Sequence, residues 1–187
     1  MTKTDSEFEA FVNRALEKDN PFEPPPELKM RPMEWMASLA QLYADIESFL
    51  ADHVNRGAIR ISYEETELQE RYIGNYSART MLIAIGREEV RLTPVGTLVI
   101  GGRGRVDVTG SAGDIRLVLI HKDARRPQDL IKVTIKDETS RDQDAIASPR
   151  SGAEDYTWKI ATPPPSVYFD ELTKSSFYEV LMEVSNA

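Results

Sequence analysis

The chain contains no cysteine, which excludes a disulfide framework, a thiolate metal site and a cysteine nucleophile. Histidine is scarce. His53 and His121 are the only two in 187 residues, too few for a multi-histidine metal centre. No apolar run approaches the roughly 18–20 residues needed to cross a bilayer. The first residues, MTKTDSEFEAFVNR, are polar and acidic, unlike the basic and then apolar start of a signal peptide. These absences lead to the expectation of a soluble, cytoplasmic chain without a membrane partner. No G-x-S-x-G elbow and no G-x-x-x-x-G-K-[ST] loop occurs, so neither an α/β-hydrolase nucleophile nor a P-loop is expected. No cofactor and no metal are implied.

What is present balances as a folded domain does, with 41% hydrophobic and 29% charged residues. A chain of this length buries roughly 70% of its unfolded surface and needs no covalent staples. The net charge is -8, which disfavours nucleic acid as a partner of the whole surface. The charge is unevenly spread. Residues 87–136 carry ten Lys/Arg against six Asp/Glu, a net of +4, whereas residues 137–187 carry four against ten, a net of -6. A local basic face on an acidic body is one reading; a mixed solvated surface is the other.

Residues 5–18 place Phe8, Phe11, Val12, Ala15 and Leu16 at helical spacing, which predicts a short amphipathic arm. Such a helix is marginal alone and needs a receiving surface. Phe8, Phe11 and Leu16 are therefore candidate partner-binding residues, toward an unknown protein or a second copy in a homodimer. Pro21, Pro24, Pro25 and Pro26 predict an extended spacer, and residues 1–31 read as arm plus spacer before a single domain over 32–187. Pro32 suits the first position of a long helix. Trp35, Met36, Leu39, Leu42, Tyr43, Ile46, Phe49, Leu50 and His53 form its stripe, and Gly57 ends it.

From residue 58 the hydrophobic period changes to two. Strands are predicted at 58–68, 79–85, 89–93, 96–102, 105–110, 114–122, 130–136 and 156–161, with a break at Pro94 and turns at Gly74-Asn75 and Gly86. Residues 137–155 lack periodicity and read as a long loop. Pro163–Pro165 precede a terminal amphipathic helix over 167–184, with Ser166 as a candidate cap. The fold class expected is α+β. It comprises a helical arm and long helix, an antiparallel meander of about seven or eight strands, curled or barrel-like, and a C-terminal capping helix.

Three constellations bear on chemistry. Gly101-Gly102-Arg103-Gly104-Arg105 suits a tight or bulged hairpin. It also suits an anion site in which Arg103 and Arg105 join Lys122, Arg125 and Arg126. Asp107 and Lys122 on successive strands resemble the Asp…Glu-x-Lys pattern of restriction-endonuclease-like folds. That resemblance implies a divalent cation held by carboxylates and a lysine that positions water. Ile120 stands where the second carboxylate belongs, so an active nuclease is not expected. Glu64, Glu65, Glu67 and Glu70 read as a solvated sheet edge that discourages strand aggregation. The function expected is a non-catalytic protein-interaction or ligand-binding module. The alternatives are a hydrolase-like fold without nuclease activity, and anion or nucleic-acid binding by the local arginine patch.

Overall fold

The computed structural model describes residues 26–70, 73–97, 101–130 and 155–186. The arm with Phe8, Phe11 and Leu16, and residues 131–154 of the strand predicted over 130–136 and the loop predicted over 137–155, lie outside these residues; Leu130 itself ends a 3-10 turn, Pro127–Leu130, and not a strand.

Helix α1 spans Pro26–Asn55. It starts six residues before Pro32, so 26–31 are helical rather than an extended spacer. Pro26 is the residue that opens it, where a missing amide is one of the helix's orphan donors anyway. Pro32 lies inside, where it removes one intrahelical bond near the first turns. Trp35, Leu39, Leu42, Tyr43, Ile46 and Leu50 are buried, as the helical spacing requires. At the other end the Gly57 amide donates to the Val54 carbonyl and the Ala58 amide to the His53 carbonyl. Gly57 has φ of 71°, which is the left-handed glycine stop expected from the sequence.

Among the described residues seven strands follow in chain order: β1 (Ile59–Glu70), β2 (Gly74–Ile85), β3 (Glu88–Gly96), β4 (Gly102–Thr109), β5 (Asp114–His121), β6 (Tyr156–Ala161) and β7 (Phe169–Glu171). Each pairs antiparallel with the next, in the spatial order β1-β2-β3-β4-β5-β6-β7. The sheet is an open meander rather than a closed barrel. Ile59, Met81, Ile83, Val90, Leu92, Val106, Val108, Ile115, Leu117, Trp158 and Ile160 share one core with α1. The alternation in each strand is what puts them on a common face.

Helix α2 (Lys174–Val184) completes that core with Phe177, Val180, Leu181 and Val184. Its Tyr178 hydroxyl donates to the Phe49 carbonyl of α1 at 2.8 Å. The Trp158 indole donates to the Ser38 carbonyl at 3.0 Å and fastens β6 to α1. The Val184 carbonyl, left over at the helix end, accepts the Ala112 amide of the β4–β5 turn at 2.8 Å. The expected α+β class, with helices at both ends of an antiparallel meander, is the observed one.

Other boundaries also differ from expectation. β2 begins at Gly74 and pairs Gly74 with Glu70 and Asn75 with Gln69, so these two are strand residues and not the expected turn. β3 continues through Pro94, which pairs with Val106, and the register shifts between Pro94 and Gly96. Proline is tolerated there because pairing with β2 has ended at Leu92 and a bulge needs one donor fewer. β3 therefore runs on to Gly96 instead of stopping before Pro94, and residues 98–100 of the strand predicted over 96–102 lie outside the described residues. Phe169–Glu171 is a strand on β6, not the start of the terminal helix. The cap of α2 is Thr173 rather than Ser166: Thr173 and Ser176 each accept the other's backbone amide, a reciprocal box that sets the first turn.

Candidate functional site

The basic residues singled out in the sequence gather at one end of the sheet. Gly102 pairs with Ile120 and Gly104 with Leu119, so Arg103 and Arg105 start β4 beside the end of β5. They lie in the strand and not in a turn. A register shift between Gly102 and Gly104 breaks the alternation that would put both on one face. Arg103 pairs with Glu34 of α1 at 3.1 Å and lies over the Tyr156 ring, 4.2 Å from its centre. Arg105 grips Asp107 with two bonds, at 2.6 and 2.7 Å. Lys122 pairs with Asp155 at 3.0 Å. The Arg125 and Arg126 amides both donate to Asp129 Oδ2 at 2.9 Å, and Arg126 approaches the Tyr168 ring. The five residues do not converge on one space: each of Arg103, Arg105 and Lys122 already faces a carboxylate.

The nuclease-like pair is also separated. Asp107 pairs with Arg116 on β5, six positions before Lys122, which is about 20 Å along a strand. One cation or water cannot serve both. Among the described residues no group of three or more His, Asp or Glu side chains is arranged to hold a metal ion. No helix among them is long and apolar enough to cross a membrane.

Glu70 is a correction to the solvated-edge reading. Glu64, Glu65 and Glu67 are exposed on the edge strand β1, but Glu70 is 7% exposed. Its Oε2 accepts the Thr97 amide at 2.9 Å and the Thr97 hydroxyl at 2.8 Å, and its Oε1 accepts the Tyr76 hydroxyl. Burial, and then the bond to Glu70, push the Tyr76 phenol well above its ordinary pKa. The Trp35 indole N–H lies near that phenol without an aligned hydrogen bond among the described residues. A buried carboxylate needs such donors. The signal that could have found it is parity: Glu70 shares a strand face with Leu68, which is buried.

A second buried charge was not anticipated. Lys159 is 1% exposed. Its ammonium donates to the Lys122 carbonyl at 2.7 Å and the Ala124 carbonyl at 3.1 Å, and it pairs with Glu171 at 2.9 Å. All three N–H bonds are used, so this lysine is a staple between β6, β7 and the segment after β5.

An open concavity among the described residues lies elsewhere. A groove of about 330 Å³ runs between α2 and strands β5 to β7. Ile115, Ile160 and Val180 make an apolar floor; Asp170, Glu179 and Glu183 make an acidic wall, with Thr162 and Ser176 as neutral polar groups. Topology explains the assembly. The short strand β7 leaves β6 partly uncovered, and α2 crosses that end with Glu179 and Glu183 one turn apart on its outer side. The groove offers negative charge and neutral polar groups over a base of buried apolar residues. It presents no nucleophile paired with a base. No protein-family model matches the chain, and no curated protein or solved structure matches it.

Proposed function

We propose that the protein is a non-catalytic binding module that receives a segment of a partner protein in the groove between α2 and β5–β7. The observation that carries this reading is a concavity closed at its base by the buried Ile115, Ile160 and Val180 and rimmed by polar side chains, since recognition sites are concave with a few polar groups placed in them. A volume of about 330 Å³ is at the small end of the range for ligand pockets, which suits a protruding segment. The acidic balance of the chain agrees with a protein partner.

The hydrolase and anion readings have less support. The Asp107–Lys122 separation removes the geometry the first needs, and the carboxylates facing Arg103, Arg105 and Lys122 offset the field the second needs.

The test is a titration of isotope-labelled full-length protein with short peptides, each carrying one leucine anchor and either basic, neutral or acidic flanks. Amide shifts confined to Thr162, Asp170, Ser176 and Glu179 with any of the three are expected. Shifts elsewhere only, or none with any peptide at millimolar concentration, overturn the reading.

A further inference from the structure

We infer that β1 is a self-association edge, which pairs antiparallel with β1 of a second copy about a twofold axis at Ser62. The inference rests on the backbone and charges of the sheet edge and does not depend on the groove.

β1 is the longer edge of the sheet. It has 12 residues, and all of them pair with β2. No strand among the described residues pairs with its outer side. The backbone donors and acceptors of alternate residues therefore point away from the sheet, ready to extend it by one strand. Ile61 and Tyr63 pack against the core yet stay half-buried, because the layer ends with this strand. Tyr63 is held in place all the same. Its hydroxyl donates to Glu47 at 2.5 Å, its ring leans on Tyr43, and Arg79 lies over it. The edge is thus ordered and partly apolar.

Charge selects the occupant. The segment is basic around its start, with Arg56 and Arg60, and acidic further on, with Glu64, Glu65 and Glu67. Arg60 is exposed and has no ion-pair partner among the described residues. A parallel, in-register neighbour sets like charges side by side. An antiparallel copy centred on Ser62 sets Arg60 opposite the partner's Glu64 and, by symmetry, Glu64 opposite the partner's Arg60. Arg91 occupies Oε2 of Glu64, which leaves Oε1 to accept. In the same register Ile61 meets the partner's Tyr63, and each covers the other's open flank. A centre at Ile61 or Tyr63 sets Arg60 against Ser62 or Thr66 instead and loses both ion pairs. The assembly also closes. The opposite edge, β7, has three residues, so a copy whose β1 is paired offers no second long edge.

Sedimentation equilibrium of the full-length protein from low micromolar to near-millimolar concentration tests this. The set comprises Arg60→Glu, Glu64→Arg, the double reversal, and Glu183→Arg on α2 as a control. A dimer is expected. Each single reversal sets like charges opposite each other at two places, and should raise the dimer Kd about five- to thirtyfold. The double reversal should restore it, and the control should leave it unchanged. Amides of β1 in the parent chain should exchange more slowly as concentration rises. A monomer throughout overturns the inference. So does a dimer indifferent to the single reversals, which is held by another surface, or one that the double reversal does not restore. Each of these outcomes leaves the groove reading standing. Far-ultraviolet circular dichroism equal to that of the parent assigns a weakened dimer to charge and not to folding.

Discussion

The Glu70 carboxylate holds Thr97 twice, through its backbone amide and its hydroxyl. The two residues belong to different hairpins. Glu70 ends β1 and Thr97 follows β3, beyond the point where β2 and β3 cease to pair at Met81 and Leu92. The bond closes the split between them with one buried anion. Glu70→Ala strands both Thr97 donors in a buried site, at about 1–3 kcal/mol for each unmet group. Urea unfolding should show that loss. Thr97→Ser, which keeps both donors, should stay within about 1 kcal/mol of the parent, and an equal loss in both variants would contradict the assignment.

Gly104 sits against a ring. A Cβ placed there would lie 2.0 Å from a Trp35 ring carbon, and Trp35 is in turn packed on Trp158, with ring centres 5.8 Å apart. Gly104→Ala should therefore destabilise by about 1–3 kcal/mol through overpacking, with a change in near-ultraviolet circular dichroism from the displaced indole. Gly113→Ala has open space and should leave that signal alone.

Lys159→Met keeps the aliphatic length and removes the ammonium. The Lys122 and Ala124 carbonyls lose their donor, which costs about 1–3 kcal/mol. The effect should be local as well as global. The Phe169 amide, which donates to the Arg125 carbonyl, should exchange with solvent faster than amides of β2. Uniform acceleration across the sheet would show that the lysine does not staple this corner.

Asp129 supplies a pH dependence. Hydrogen bonds from the Arg125 and Arg126 amides hold its carboxyl below the usual aspartate range. A depressed folded pKa means that the ordering it provides is complete above the unfolded value of about 3.9 and is lost as pH falls through the lower folded value. The amide resonances of Arg125 and Arg126 should titrate together below about pH 3.9, and Asp129→Asn should abolish that step. A midpoint above this value would contradict the geometry.

Thr173→Ala removes the side chain that accepts the Ser176 amide. A loss of about 1 kcal/mol is expected, with weakened docking of α2 read as increased solvent exchange of the Phe177 amide.

Much of this architecture is legible in the chain because its signals are local and repeated. The stripe from Trp35 to Leu50, the Gly57 stop and the alternation of β2 and β5 each require only neighbours in sequence. Pro26 and Pro94 were harder, because the same residue opens a helix or breaks one, and ends a strand or rides through a bulge, according to which backbone partner is absent. β7 is three residues long, too short to show a period, and Phe169 fits a helical stripe equally well. The Arg105–Asp107 pair is visible in sequence, two residues apart on one strand, whereas Glu34 lies 69 residues from Arg103 and no local pattern points to it. The groove draws on β5, β6, β7 and α2, so only its Glu179–Glu183 spacing is visible in one dimension.

The meander order also bears on how the chain reaches this state. Among the described residues every ladder joins strands consecutive in chain order, and most close through short connections, so most of the sheet can zip hairpin by hairpin with little loop entropy. The β5–β6 ladder is the exception, because residues 122–155 intervene before His121 meets Tyr156. On loop-closure entropy that ladder is the one expected to form last. The groove takes lining residues from both strands of that ladder, Ile115 on β5 and Ile160 on β6, so its walls come together only once this ladder has closed.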